Sequence, residues 1–282
     1  MNTSMRKSAI GLLSATAAMG LASAHAVSLT ITVENTQTVS ANGNGLSLTP
    51  VWFSFLDTSQ TFDAFDVGAN ASAAVEEIAE VGSFGQLDDA VDAAQSDGIT
   101  GAVIAPGGVA PTIDPGETGV FVVEVDPFAN DWFQFLSMVV PTNDTFVGND
   151  APVDLFDDDG VFFGTQTFDL TLANTYDAGT EDNVFLEGAA FLANVDGSTG
   201  ITTSDPIGAA QATDFSAELL ADGLTFLDPV LAAAFFSGNT TLGTVTISLT
   251  PTASPVPVPG AALLFGSMLA GGGILRRRRK AA

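Results

Sequence analysis

The sequence predicts an all-β fold, an antiparallel β-sandwich with one or two short helices. Three observations predict it. The composition is rich in Val, Thr and Phe, with 21 Phe residues among 282. Several segments alternate apolar and polar residues, as half-buried strands do. The 29 Gly and 13 Pro residues divide the chain into short segments. Several strands with few helices, joined by turn-rich loops, favour a sandwich.

Six segments have strand character. Residues 118–125 alternate strongly, which is typical of a strand with one buried face. Residues 132–140 form a longer apolar run, which predicts a central, buried strand. The remaining predicted strands are residues 28–35, 48–56, 165–172 and 244–250.

The helical signals are fewer. Residues 73–81 have helical spacing that places Val75, Ile78 and Ala79 on one face. Weaker helical patterns predict one or two helical turns at 87–94 and one or two short helices within 217–236. Gly and Pro residues predict turns at 105–108 and 114–116, and a Gly-, Ser- and Thr-rich composition predicts a surface loop at 194–215.

The N-terminus has the order of a secretory signal peptide. Arg6 and Lys7 precede an apolar stretch at 9–22, and small residues follow as Ala24-His25-Ala26. The apolar stretch is shorter than the roughly 20 residues that span a bilayer. We therefore assign residues 1–26 to a signal peptide cleaved after Ala26; the alternative is a buried N-terminal helix.

The C-terminus has a three-part layout. A Pro-rich spacer (251–260) precedes an apolar segment (261–275) and the basic cluster 276–280, which would stay on the cytoplasmic side of a membrane. The layout of residues 261–282 is typical of a sorting tail. A nucleic-acid-binding basic patch fits badly with an export signal.

This tail resembles the PEP-CTERM class of bacterial sorting signals in its Val-Pro-x-Pro variant, on residues 256–261 and 264–267. The resemblance implies a Gram-negative host and transient anchoring of the tail in the inner membrane. It also implies a sorting protease that cuts near the prolines, and release or attachment at a surface coated with exopolysaccharide.

The charge of the chain is divided unusually. Residues 27–254 hold all 33 Asp and Glu residues and no Lys, Arg or His, so their formal charge is −33, against −26 for the whole chain. No side-chain salt bridge is possible there, so backbone N–H groups, polar side chains, water and dissolved cations must balance the carboxylates. We expect a saline or divalent-rich habitat. Nucleic-acid partners are disfavoured, so we expect none, because phosphate binding needs Lys or Arg. Cysteine is absent, which removes thiol chemistry.

A series of strings resembles the spondin N-terminal domain family, which includes F-spondin and mindin. The strongest are FLSMVVPTNDTFVGN at 135–149 and YDAGTE at 176–181; the others are at 31–35, 50–52, 62–68, 71–80, 115–117, 121–125 and 153–157. The resemblance implies a sandwich of C2-like topology over residues 27–250.

The resemblance also implies a calcium ion held by acidic side chains from three segments. The positions of this sequence that match the family's ligand motifs are Glu124, Asp144 and Asp177. Calcium prefers six to eight hard oxygens, and a divalent cation offsets the repulsion between converging carboxylates. The alternative for such Asp residues is a turn-forming role. Glu181 and Asp182 are placed around this site.

A second acidic string, Asp157-Asp158-Asp159-Gly160, lacks the spaced acids of an EF-hand. We interpret it as a hairpin turn, with a secondary cation site as the alternative.

Three functions follow. The first is a non-catalytic, calcium-binding structural or adhesion module at the cell surface, whose partner is exopolysaccharide or a surface protein. The second is a hydrolase of surface polysaccharide that uses paired carboxylates. Its weakness is the absence of a His base, a Cys or Lys nucleophile, or an Arg in residues 27–254, so we expect no enzyme activity. The third is a calcium-dependent module for anionic lipid, by analogy of fold alone.

Overall fold

The computed structural model describes residues 26–40, 43–60, 62–106, 112–183, 200–210 and 229–251. The predicted signal peptide up to His25 and the predicted tail from residue 252 onward lie outside these ranges. Within them, no helix has the length and hydrophobicity needed to cross a lipid bilayer.

Along the chain, the strands are β1 (Val27–Asn35), β2 (Val39–Ser40), β3 (Gly43–Asn44), β4 (Ser47–Leu48), β5 (Val51–Leu56), β6 (Ile99–Val103), β7 (Thr118–Val125), β8 (Trp132–Val140), β9 (Thr145–Gly148), β10 (Val153–Asp154), β11 (Gln166–Leu170), β12 (Thr175–Asp177), β13 (Gly208–Ala209) and β14 (Gly243–Leu249). The helices are α1 (Ala73–Val81), α2 (Gly85–Ala94) and α3 (Pro229–Phe236), with a 3₁₀ turn at Leu172–Asn174.

Two antiparallel sheets form the sandwich. The four-stranded sheet has the order β11-β14-β1-β7, so that β11 and β7 are its outer strands. The larger sheet has the order β13-β12-β9-β8-β5-β6, and β4 and β10 also pair with β8. β2 and β3 form a separate short ladder. The prediction of a β-sandwich with minor helix is confirmed.

The core between the sheets is built from alternating side chains. In β1, Leu29, Ile31 and Val33 are buried, while the residues between them face outward. They belong to the same apolar cluster as Phe53 and Phe55 of β5, and Phe133 and Phe135 of β8 also join it. Val120 and Val122 of β7 remain about half exposed, at 56% and 52%.

The larger sheet is covered on its other face by the helices. α1 and α2 bury Val75, Ile78, Leu87 and Val91 in a second apolar cluster that includes Trp52 of β5. β8 is therefore buried on both faces, and eight of its nine residues are buried. This explains why β8 reads as a continuous apolar run, and the prediction of a central strand is confirmed.

Both ends of α1 match its sequence. The Ser72 side chain accepts a hydrogen bond from the backbone of Val75, which is the usual N-terminal cap. Gly82 ends the helix with φ of 66°, a left-handed conformation that favours glycine. The predicted helix at 73–81 is confirmed with its bounds and its buried face.

The other predictions differ from the structure in detail. The strand predicted at 48–56 is interrupted at Thr49 and Pro50, because Pro50 has no N–H to donate. The strand predicted at 165–172 ends at Leu170, because Thr171 caps the 3₁₀ turn. Only residues 200–210 of the predicted loop at 194–215 are described, and they include β13.

Candidate functional site

Asp144 is the most deeply buried carboxylate of the predicted site. It lies directly before β9, and its exposed fraction is 0%. Oδ2 accepts hydrogen bonds from the backbone N–H groups of Thr180 and Glu181, at 2.9 and 3.0 Å, and from Thr180 Oγ1 at 3.3 Å. Oδ1 has no hydrogen-bond partner among the described residues. A buried carboxylate oxygen without a partner is costly, so Oδ1 marks a place for a cation or a proton.

Strand pairing brings Asp177 to Asp144. β12 pairs antiparallel with β9, which places Asp177 opposite Thr145. The backbone N–H of Ala178 donates to the carbonyl oxygen of Asp144 at 3.1 Å. The Asp177 carboxylate raises the pKa of Asp144 through repulsion. The structure therefore brings these two predicted residues together.

Asp177 also organises its own turn. Oδ1 accepts a hydrogen bond from the backbone of Gly179 at 2.7 Å, and Oδ2 accepts one from Asn183 Nδ2 at 2.7 Å. Gly179 has φ of 67°, and a Cβ atom at this position would come within 2.4 Å of the Asp205 carbonyl oxygen. The turn-forming role considered from sequence is thus present, and it coexists with the proximity to Asp144.

Glu181 adds a third carboxylate. Its side chain is 7% exposed, and Oε2 has no hydrogen-bond partner in the described parts of the chain. Glu80 and Glu76 of α1 act on it electrostatically, as does Asp144. Glu80 and Glu76 lie one helical turn apart, so α1 presents two carboxylates toward this region.

Burial and repulsion raise the pKa values of this group. Burial is the largest cause at Asp144, followed by repulsion from Asp177, and they raise its pKa to about 7 despite the hydrogen bonds to Oδ2. Burial, then repulsion from Glu80, raises the pKa of Glu181 to about 7. Burial also raises the pKa of Glu80. The site is therefore short of positive charge.

A cleft of about 290 Å³ opens beside these residues. Its lining residues are polar, acidic or small: Asp177, Gly179, Glu181, Asp182, Asn183, Asp205, Pro206, Gly208 and Ala209. Asp177 and Glu181 thus border solvent-accessible space, whereas Asp144 lies outside the residues that line the cleft.

Glu124 occupies a different part of the fold. It lies on β7, in the four-stranded sheet, opposite Ser28. Its side chain is exposed, whereas those of Val123 and Val125 on either side are buried. Asp144 and Asp177 border the larger sheet, so the structure does not group Glu124 with them.

The described residues contain no group of three or more Asp, Glu, His or Cys side chains already arranged to hold a metal ion. The carboxylate and backbone carbonyl oxygens of this region are nevertheless the types of ligand that calcium uses, together with water. Asp144 Oδ1, which lacks a partner, is the observation of this structure that favours such an ion.

Sequence reasoning placed Glu181 only around the site and did not identify Glu80. Glu181 directly follows the Asp-Ala-Gly-Thr turn, which was the available signal for it. Glu80 reaches the site through tertiary packing of α1, which no local pattern indicates.

The acidic string at 157–160 forms the predicted hairpin turn. The backbone N–H of Asp157 donates to the Val161 carbonyl oxygen at 3.0 Å, and Asp157 Oδ1 accepts from the Val161 N–H at 2.8 Å.

Comparison with known proteins gives one family. The family model described as Spondin_N matches residues 49–212, more than half of the chain. Asp144, Asp177 and Glu181 lie within the match. A search of curated proteins found no match.

Proposed function

This chain belongs to the Spondin_N family, and we propose that it is an exported, non-catalytic structural or adhesion module whose fold is completed by calcium at Asp144, Asp177 and Glu181. The family is typical of secreted and extracellular proteins and of matrix or adhesion modules, and it is not a known enzyme family. The calcium ion and its ligands are the finer part of the proposal.

One observation supports the calcium proposal above the others. Asp144 Oδ1 and Glu181 Oε2 are both buried and both lack a hydrogen-bond partner among the described residues. The stretch from 27 to 254 has no Lys, Arg or His that could neutralise them. A divalent cation satisfies such oxygens and offsets their mutual repulsion.

Bound calcium would join parts of the chain that are distant in sequence. Asp144 precedes β9, Asp177 ends β12, and Glu181 lies in the turn beyond it. An ion held there by carboxylates, carbonyls and water would order the loops at this edge of the larger sheet. Ordered loops are suitable for recognising a partner, because less conformational entropy is lost on binding.

The proposed cellular location rests on the predicted signals at the two ends of the chain. The predicted signal peptide and sorting tail support export to the surface of a Gram-negative cell, with the tail in the inner membrane until a sorting protease removes it. The proposed partner is exopolysaccharide or another surface protein. Calcium is also able to bridge this acidic chain to an acidic polymer.

The alternative functions have less support. A hydrolase with Asp144 as its acid would need that carboxyl to reach substrate, yet Asp144 is fully buried. No feature of the described residues favours the lipid-binding alternative.

Calorimetry tests the calcium proposal. The thermal midpoint of the protein is measured in EDTA and in millimolar CaCl₂, beside the Asp144→Asn and Asp177→Asn variants. We expect calcium to raise the midpoint of the parent, because a ligand that binds only the folded state stabilises it. Both variants should lose most of this increase.

Glu124→Gln is the matched control, because it removes one carboxylate from the exposed face of the other sheet. It should keep the full response to calcium. A parent midpoint that is the same in EDTA and in CaCl₂ would refute the proposal. If the Asp144→Asn variant kept the full response to calcium, the ion would bind at a different site.

A further inference from the structure

A second cleft lies apart from the calcium site. It has a volume of about 450 Å³ and lies beside the start of β8. Its lining combines aromatic and acidic side chains: Thr58, Pro127, Phe128, Asp131, Trp132, Asp154, Phe156, Asp157 and Asp158. None of these residues belongs to the proposed calcium site.

Hydrogen bonds and packing build the walls of this cleft. Asp131 Oδ1 accepts from the backbone N–H of Thr58 at 2.9 Å. Asp126 Oδ1 accepts from the N–H of Phe128 at 3.0 Å, which fixes the turn before β8. The Phe128 ring packs so closely against Gly160 that a Cβ atom at position 160 would clash with it. The cleft is therefore a defined part of the fold.

Two of the three aromatic side chains that line the cleft are accessible, whereas Phe156 is buried. Phe128 is 53% exposed, and Trp132 is half-buried. Trp132 is the cross-strand neighbour of Asp154, so an aromatic side chain and a carboxylate lie side by side on one face of the ladder.

The carboxylates give the cleft one sign of charge. Asp154, Asp157 and Asp158 are exposed, and Asp131 is partly buried. No basic residue exists between 27 and 254 to compensate them. Walls of one charge sign concentrate ions of the opposite sign. A bare metal ion gains little from the aromatic walls, whereas an ammonium or guanidinium group gains from the ring faces and the carboxylates together.

We propose that this cleft binds a Lys or Arg side chain of a basic segment in a partner protein. The acidic rim attracts the segment, and Phe128 and Trp132 contact the stem and the cationic head of the side chain. Arginine suits the site best, because its planar guanidinium stacks on aromatic rings and pairs with carboxylates. The proposal does not depend on calcium binding at Asp144.

Titration of the full chain with a defined peptide tests this proposal. The probe is an acetylated, amidated peptide of four Gly-Arg repeats, at constant ionic strength and in EDTA. Its neutral counterpart has citrulline in place of arginine. Binding is followed by calorimetry and by tryptophan emission, since Trp132 lines the cleft while Trp52 is fully buried.

We expect the arginine peptide to bind and to change the emission, and the citrulline peptide to bind far more weakly. Asp154→Asn with Asp158→Asn should weaken binding roughly three- to tenfold, and Phe128→Leu should weaken it about threefold. The matched control is Glu34→Gln with Asp169→Asn, which removes two charges from the outer face of the four-stranded sheet. It should change the affinity less than twofold.

Four outcomes would overturn the proposal. Equal losses in the cleft variant and the outer-face control would show diffuse electrostatic attraction. Equal binding of the citrulline peptide would exclude recognition of the cation. Displacement of the peptide by millimolar calcium, with no calcium response left in the cleft variant, would make the cleft a metal site. Tighter binding of a neutral oligosaccharide, lost in Phe128→Leu, would make it a sugar site.

Discussion

The backbone N–H of Glu181 donates a hydrogen bond to Oδ2 of Asp144 at 3.0 Å, while the side chain of the same Glu181 is repelled by the Asp144 carboxylate. Thr180 donates to the same oxygen through its backbone and its hydroxyl. The turn thus holds Asp144 in place through one oxygen and leaves the other without a partner among the described residues. The balance between these opposing interactions depends on the protonation of the two carboxyls.

The first prediction concerns pH. The pKa values of Asp144 and Glu181 are raised to about 7 in the folded protein, whereas unfolded carboxyls titrate near pH 4. Between these values the folded state binds more protons, so stability falls as the pH rises. We expect the thermal midpoint in EDTA to decrease from pH 5 to pH 8. Asp144→Asn combined with Glu181→Gln should flatten this dependence.

The remaining carboxylates also repel one another more strongly at high pH. The control is Asp154→Asn with Asp158→Asn, which removes two exposed charges. It should keep the steep pH dependence of the parent protein. If both double variants flatten it equally, the buried pair has no special part in the effect.

The second prediction concerns salt. Residues 27–254 carry a formal charge of −33 with no cations among their side chains, and the Debye length falls from about 10 Å at 0.1 M to about 3 Å at 1 M. We expect the thermal midpoint in EDTA to rise between 0.05 M and 1 M NaCl. A midpoint that stays constant or falls would show that self-repulsion does not limit stability.

The third prediction concerns Gly179. Its φ of 67° disfavours any other residue, and an added Cβ would meet the Asp205 carbonyl oxygen. Gly179→Ala should destabilise the protein by about 2 kcal/mol or more, measured by urea unfolding, and should weaken the calcium response. Gly116 is the control, with φ of 82° and open space around it. Gly116→Ala should cost only about 1 kcal/mol; equal losses would mean that the close approach at Asp205 is unimportant.

The fourth prediction concerns the helical layer. Ile78 of α1 is fully buried against the larger sheet, whereas Val81 of the same helix is 50% exposed. Ile78→Ala should lower the free energy of unfolding by about 2–5 kcal/mol. Val81→Ala should change it by about 0.5 kcal/mol or less. Similar small effects at both positions would show that the helices contribute little to the fold.

Elements with a pattern of their own were predictable from sequence. α1 and β8 match their predicted bounds, because helical spacing and a long apolar run are local signals. β9 and β12 were not predicted. All four residues of β9 are buried, and β12 has only three residues, so neither alternates over a useful length. Hydrogen bonding to neighbouring strands, which is not a local signal, gives β9 and β12 their extended conformation.

The site depends on those two short strands. Asp144 and Asp177 meet because β9 pairs with β12, and no periodicity in the sequence indicates that pairing; only the family resemblance placed them together. Alternation along residues 118–125 predicts the strand β7, but it does not say which sheet β7 joins. The calcium ion itself stays a prediction.

The outer strands of the four-stranded sheet have a further consequence. Charged side chains, especially lysine, help to protect exposed strand edges from intermolecular pairing, and β7, with its exposed Val120 and Val122, has Glu124 but no lysine. The shared negative charge of residues 27–254 opposes the alignment of two such edges. Acidification protonates the carboxylates and lowers that charge, so we expect aggregation under the acidic conditions in which protonation of Asp144 and Glu181 makes the individual fold most stable.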